Sequence, residues 1–360
     1  MNKASNSESR SAYRQGWIEG YRMGGCLSVI ERTPIGGAAG SANLRILYVQ
    51  QGFESVDTGI IHALQGMAKE LAVASPNEML PLAEQFRPDL ILVMNGLHVF
   101  PAEHTGQIDL LREQGVRTAI WFVDDPYFTD QTAMMALHYD YVFTHELSCI
   151  QLYRDAGCRE VHYLPLAADP EIYAPVDAPR NYQTDICFIG SAFWNRVALF
   201  DQLAPYLATK RVLLIGQLWN RLTRQDLLQS FTREGWVEPK EARIYYGGAK
   251  IVINMHRPTE TGQDNENSRN LPGLSINPRT YEIASCGTLQ LTDIREDLHR
   301  HYRPGYDIET FASAEELQSK LEYYLTHDTE RIQMAWRSLW TTRKNHTYTN
   351  RMAHMLAVVQ

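Results

Sequence analysis

Arg279 and Glu282 stand three residues apart, just behind Asn277 and Pro278, in the stretch PGLSINPRTYEIASCGTLQLTD that runs from Pro272 to Asp293. On a helix that spacing puts a guanidinium and a carboxylate on one face. Asn277 suits the N-cap, where its side-chain oxygen accepts from a backbone N–H that the first turn leaves unpaired. Pro278 fits the first helical position, Gly287 the left-handed residue that closes the helix, and Thr288–Leu291 a buried strand after it. The loop Gly273–Ile276, Ser275 included, would point free amides at whatever lies in front, and the helix would add the positive end of its dipole. Such a place suits a diphosphate, with Glu282 one turn in to accept from sugar or ribose hydroxyls. The same residues also fit a buried helix with a surface ion pair.

Other candidates stand at strand ends, where open α/β sheets bind their ligands. Gly190 and Ser191 follow the strand TDICFIG and give a tight turn that lets an amide approach a phosphate. Arg196 can reach the same diphosphate or lie solvated on its helix. Trp219, after LLIGQ, can stack on a nucleobase or belong to the core. Asn254 and Arg257 follow KIVI, and Arg257 and Arg279 are candidates for neutralising a leaving diphosphate. Earlier in the chain, WFVDDPY puts Asp124 and Asp125 at the end of a strong strand, before Pro126. A carboxylate there can serve as general base for an acceptor hydroxyl, or can cap the following turn. Asp125 is the first choice, Asp124 the second and His98, after DLILVMN, the third. His145 and Glu146 can line the same cleft, and His346, Tyr348 and Arg351 can reach the cleft or pack at a helix start.

Strand–helix alternation positions these groups. From Leu44 the pattern reads LRILYVQ strand, Thr58–Glu70 helix, LAVAS strand, Pro76–Phe86 helix and DLILVMN strand. Ile108–Gln114, Gln131–His138 and Ser148–Ala156 then read as helices between the strands VRTAIWFV, YDYVFTH and EVHYLPL. Near-continuous apolar strands between helices mean a mostly parallel sheet covered on both faces. Residues 167–183, with Pro170, Pro175 and Pro179, read as a linker between domains. A second alternating series fills 184–345, and 346–360 holds a closing helix. The fold class expected is α/β, with two doubly wound Rossmann-like domains, 44–166 and 184–345, facing across a cleft. Residues 1–43 form an extension, with 1–10 polar and expected to be disordered. Tyr13–Met23 is a helix with Tyr13, Trp17 and Tyr21 on one face, suited to packing on the body or to docking a partner or second copy. Thr33–Ala42 reads as linker.

Bulk properties narrow the function. The chain has 360 residues, 44% hydrophobic and 21% charged, enough for two folded domains. A formal charge of −8 disfavours a nucleic-acid surface. No apolar run approaches a membrane helix, and MNKASNSESR lacks a signal-peptide core. The five cysteines form no CxxC pair, so a reduced, cytoplasmic protein is expected. The twelve histidines show no HExxH, and no GxxxxGK[ST] or GxSxG is present, which disfavours zinc, P-loop and nucleophile-elbow chemistry.

NPRTYEIASCG before an apolar strand, together with DDPYFTD, YDYVFTHE, YLPLAADP, GSAF, IVINMHR and a late HTYTNR, resembles the CgeB-like, spore-maturation-type glycosyltransferases. The likeness runs from about Leu44 to the C-terminus. It implies a GT-B fold and transfer from a nucleoside-diphosphate sugar, a UDP-sugar first, to a hydroxyl of a protein or surface glycan in a bacterium. The first domain would hold the acceptor and the second the donor, without a metal ion, and the last helix would return to the first domain. The resemblance also supports a donor contact from Asn254 and the sugar or ribose role of Glu282. One departure is plain. Many retaining GT-B enzymes carry another acid eight residues before the Glu282 position, and here Leu274 stands there. A silent scaffold of the same shape and a sugar-nucleotide epimerase are the alternatives.

Overall fold

The computed structural model describes residues 2–35, 42–262 and 264–360. Two six-stranded sheets, parallel throughout, carry the fold. The first contains β1 (Ala42–Val49), β2 (Ala68–Ala74), β3 (Leu90–Met94), β4 (Arg117–Phe122), β5 (Tyr141–Thr144) and β6 (Glu160–Tyr163), in the order β2-β1-β3-β4-β5-β6. The second contains β7 (Thr184–Ile189), β8 (Val212–Gly216), β9 (Thr232–Glu234), β10 (Ala249–Asn254), β11 (Leu289–Asp293) and β12 (Glu309–Phe311), in the order β12-β11-β10-β7-β8-β9. Each sheet is doubly wound, and its order reverses between β1 and β3 or between β7 and β10. At such a reversal the flanking connections leave in opposite directions and open a crevice beyond the strand ends.

Helices α1 (Asn2–Arg32), α2 (Glu54–Gln65), α3 (Met79–Phe86), α4 (His104–Glu113), α5 (Thr129–Met135) and α6 (Cys149–Ala156) precede or interleave the first sheet. The second sheet interleaves with α7 (Trp194–Leu207), α8 (Gln225–Leu228), α9 (Pro239–Gly248), α10 (Pro278–Ser285), α11 (Leu298–His301) and α12 (Ala314–Thr326), and α13 (Asp328–Asn345) and α14 (Tyr348–Val359) end the chain. The core strands β3 and β10 are buried nearly throughout, as strands covered on both faces must be. Tyr348, Met352, Met355 and Val359 of α14 share one core with Ile46, Tyr48 and Leu92 of the first sheet, so the end of the chain is packed into the first lobe. Arg351 secures it by donating to the carbonyls of Pro165 and Leu166, at 2.8 and 3.1 Å, and His346 bonds the His301 carbonyl at 3.0 Å.

Several local expectations change. The polar start of the chain is helical from Asn2 onward, not disordered. Residues 36–41 of the expected Thr33–Ala42 linker lie outside the described residues. The helix expected over Thr58–Glu70 runs instead over Glu54–Gln65, and Ala68–Glu70 turns into β2 because it pairs with β1, Arg45 opposite Glu70. Tertiary pairing there outweighs local helix preference. The edge strands β9 and β12 have three residues each, too few to show a period.

The first helix lies on α13. Trp336 donates its indole N–H to the Arg22 carbonyl at 3.0 Å, and its ring lies 4.9 Å from that of Tyr21. Trp17 stacks on Tyr21, while Tyr13 and Trp17 remain exposed. The indole also occupies the space where a Cβ on Gly25 would stand. This yields a test. Alanine favours a helix over glycine by about 1 kcal/mol, yet Gly25→Ala is expected to lower stability by about 1–3 kcal/mol in urea unfolding, through overpacking against Trp336. A more stable variant would contradict the docking of α1.

Candidate active site

A cavity of about 460 Å³ lies between the two sheets, at the carboxyl ends of their strands. The first lobe contributes Ser55 and Asp124 to its wall, and the second contributes Gly190, Ser191, Arg279 and Glu282. The turn after β7 and the end of β8 approach so closely that a Cβ on Gly216, at φ 149°, would collide with the Gly190 carbonyl. The Ser191 amide, at this junction, has no hydrogen-bond partner among the described residues. It is a free donor on the cavity wall.

Helix α10 is held by a buried polar network. Asn277 caps it by accepting from the Thr280 amide at 3.1 Å. Asn254, at the end of β10, donates to Asn277 Oδ1, Thr280 Oγ1 and Gln290 Oε1, and accepts from Asn277 Nδ2 at 3.0 Å. The Asn277 amide donates to His256 Nε2 at 2.9 Å, while His256 Nδ1 lies 2.6 Å from Asp293. A ring that accepts on Nε2 and donates from Nδ1 is neutral. Burial favours the same form by lowering the His256 pKa against the pull of Asp293. His256 is a positioning residue that sequence reasoning missed. Its only signal was its place two residues after a strand end.

Of the amides expected to be free in Gly273–Ile276, those of Leu274, Ser275 and Ile276 are taken. Glu146, from the end of β5, accepts from Leu274 N at 3.0 Å and Ser275 N at 3.1 Å, and also from Ser148 N at 3.0 Å. The Ile276 amide goes to Asp297 at 3.0 Å, and Ser275 Oγ accepts from Leu147 N at 3.0 Å. A carboxylate of the first lobe thus takes the anion position that the loop offers, and Ser275 is spent on joining the lobes. Burial drives the Glu146 pKa up to about 7 against the three amides that favour its charge.

Other expected site residues turn out to be structural. Trp219 is 1% exposed and packs edge-on to Phe188 and Phe200, so no base can stack on it. Arg196 is buried, its guanidinium donating to the carbonyls of Met255 and Ser191, which ties the turn after β7 to β10. Asn254 and Asn277 satisfy each other as described. Arg257 lies among the rings of Tyr127, Phe193 and Phe128, bonds the Asp264 carbonyl, and is not on the cavity wall. Asp125 is fully buried and accepts from Thr144 at 2.6 Å and Tyr153 at 2.8 Å. It therefore fixes the loop to β5 and α6 and cannot meet an acceptor. His145 is buried too, donating from Nε2 to the Asp125 carbonyl at 2.8 Å.

The groups left facing the cavity are few. Arg279 is half-buried and makes no hydrogen bond or ion pair among the described residues. Glu282, one turn on, is 7% exposed and receives Ser55 Oγ from the first lobe at 3.3 Å. Burial raises its pKa, with Arg279, Ser55 and Tyr173 opposing. Asp124 accepts from Asn95 at 2.7 Å, has His98 Nε2 at 3.9 Å, and is raised by burial against those neighbours. His98 itself is exposed and lies beside Phe128. Trp236, 72% exposed on the same wall, is a flat ring with no packing role of the Trp219 kind, and sequence reasoning passed it over. Among the described residues no three His, Cys, Asp or Glu side chains are grouped to hold a metal ion.

Residues 196–357 match the family model described as glycosyl transferase-like. Over 324 residues, 88% of this chain and 98% of the relative, the chain is 26% identical to the spore protein CgeB of Bacillus subtilis (strain 168), as its motifs suggest. The fold is the GT-B fold of glycosyltransferases. Sucrose-phosphate synthase from Thermosynechococcus elongatus aligns with a TM-score of 0.59 at 12% identity, over 88% of this chain and 98% of its own. HepE from Anabaena in complex with UDP-glucose aligns with a TM-score of 0.58 at 10% identity, over 88% of this chain and 100% of its own.

Glu146 gives the site a pH signature. A carboxyl whose pKa is higher folded than unfolded stabilises the fold below the unfolded value, and that stability is lost as pH rises through the folded one. The stability of the natural chain relative to Glu146→Gln should therefore decline between about pH 4.5 and about pH 7. Thermal unfolding of both proteins across that range measures it. A difference that stays flat, or grows with pH, would contradict the assignment.

Proposed function

We propose that this chain, a relative of CgeB with a glycosyl transferase-like second lobe, moves a sugar from a nucleoside-diphosphate donor to an acceptor hydroxyl. The observation that carries the reading is Arg279, a cation without a partner among the described residues, on the cavity wall beside the free Ser191 amide and the Glu282 carboxylate. A half-buried guanidinium with no protein acceptor keeps its fork of N–H donors free for an anionic ligand, which it can grip through two parallel hydrogen bonds. In this reading Arg279 and Ser191 meet the diphosphate and take up its charge as the glycosidic bond breaks, without a metal ion. Glu282 accepts from sugar or ribose hydroxyls, and Trp236 stacks on the base.

The first lobe supplies the acceptor side. Asp124 takes the proton of the attacking hydroxyl, and Asn95 holds its carboxylate in place. The raised pKa makes it a stronger base than a solvated aspartate. Lobe closure excludes water that would hydrolyse the donor. The UDP-glucose in HepE makes a UDP-sugar the first donor to try, and likeness to a spore protein favours a bacterial protein or surface glycan as acceptor. Donors of this kind and five unpaired cysteines suit a cytoplasmic site of action.

Calorimetry with UDP tests the donor side. Arg279→Ala and Glu282→Ala are each expected to weaken UDP or UDP-sugar binding about tenfold or more, equivalent to about 1.4 kcal/mol. Trp236→Ala should weaken UDP binding while leaving stability within about 0.5 kcal/mol. Trp219→Ala should instead cost about 3–5 kcal/mol of stability. Asp124→Asn should keep UDP affinity and lose about 10²–10⁴ in transfer rate. Unchanged affinity in Arg279→Ala would remove the donor assignment, and conversion of the sugar with the nucleotide retained would point to an epimerase.

A further inference from the structure

A second hollow lies at the other end of the second sheet, away from the cleft. It encloses about 740 Å³ between α1, the start of α13 and the amino ends of β7, β10 and β11. The same strands run from this hollow, at Thr184, Lys250 and Leu289, to the cleft at Ile189, Asn254 and Asp293. Anything bound here is therefore separated from the cleft by the length of the sheet.

Its wall is basic in a chain whose formal charge is −8. Arg14, Arg22, Arg211, Lys250 and Arg331 line it, against Glu19 and Asp328. Each of these cations has a carboxylate beside it: Arg14 and Arg331 share Asp328, Arg22 pairs with Glu19, and Arg211 and Lys250 share Asp185 behind the wall. Five positive groups thus meet three negative ones, and the basic groups stay two ahead. Two polar atoms on this wall are buried and unpartnered among the described residues, Arg22 Nη1 and Thr184 Oγ1. Arg22 is 8% exposed, and its other nitrogens are used by Glu19 and the Val176 carbonyl. A guanidinium N–H held out of water without an acceptor costs about 1–3 kcal/mol. Such a cost is offset if an acceptor arrives from outside.

We propose that this hollow is a second ligand site, for a small dianion carrying a phosphate group, held by Arg22, Lys250 and Arg331 between α1 and the amino edge of the second sheet. The excess of two positive charges matches a phosphate dianion. With roughly 30 Å³ per water as the yardstick, the volume exceeds a lone phosphate by far. Gln15, Gln183 and Thr326 on the wall suit the hydroxyls of an attached sugar. The site does not depend on what the cleft does. It exists only because α1 lies over the sheet, so the N-terminal helix is part of the binding wall.

Calorimetry on the full chain with glucose 6-phosphate and, separately, inorganic phosphate tests this. Arg279→Ala, which disables the cleft, should bind glucose 6-phosphate within about twofold of the natural chain. Arg22→Met and Lys250→Gln should each weaken it about tenfold or more with the circular dichroism spectrum unchanged. Lys250 is partly exposed, so Lys250→Gln decides the matter if Arg22→Met fails to fold. Tighter binding of the ester than of phosphate identifies a phosphorylated metabolite, and equal binding identifies phosphate alone. No heat with either probe at roughly millimolar concentration, equal binding by Lys250→Gln, or loss of binding in Arg279→Ala would each overturn the proposal.

Discussion

One carboxylate sets the shape of the cleft. Glu146 crosses from the first lobe and accepts the Leu274 and Ser275 amides of the second, 128 and 129 residues further along the chain. Nothing but a well-placed acceptor would keep those N–H groups satisfied out of water. Around this contact the lobes add Leu147 N to Ser275 Oγ, Tyr163 OH to Asp297, and Ser55 Oγ to Glu282. The entrance to α10 is thereby fixed relative to the first sheet, and with it the places of Arg279 and Glu282. Losing the Glu146 acceptor would leave the Leu274 and Ser275 amides unsatisfied, so the join is costly to break.

The site divides its polar residues into those that hold and those that remain open. Asn254, Asn277, His256 and Arg196 all stand at strand ends or a helix start, where ligand contacts are expected, and each is consumed by a neighbour. Their work is to make α10 and the turn after β7 stiff. Arg279, Ser191 and Asp124 then face the cavity from fixed backbone. A diphosphate bound by few groups needs this, because a guanidinium that must first be immobilised gives up part of its binding energy as lost side-chain entropy.

Much of the architecture is readable from the chain because it rests on local signals. Strand–helix alternation gives both sheets, and the Asn277–Pro278 pair gives α10 to within a residue of its observed bounds. What the chain hides is the direction of single side chains. Asp124 and Asp125 are adjacent at a strand end, where neighbours face opposite ways. Which one meets the cleft depends on packing by Thr144 and Tyr153, and neither of those is local. Trp219 and Trp236 each follow a residue of positive φ, Leu218 at 68° and Gly235 at 123°, yet the first packs on Phe188 and Phe200 in the core and the second stays outside. Glu146 is marked locally only as a residue just past a strand end, and its role as a bridge between the lobes has no local signal. It can be found only by knowing that residues more than a hundred positions apart meet.

Two sets of amides differ in their partners: those of Leu274 and Ser275 are held by Glu146, and that of Ser191 is left open for the proposed diphosphate. A crystal structure of the full chain with UDP reads this directly. The account predicts the diphosphate within hydrogen-bonding distance of Arg279 and the Ser191 amide, with Glu146 still on Leu274 and Ser275. A diphosphate seated on the Leu274 and Ser275 amides, with Glu146 displaced, would contradict it.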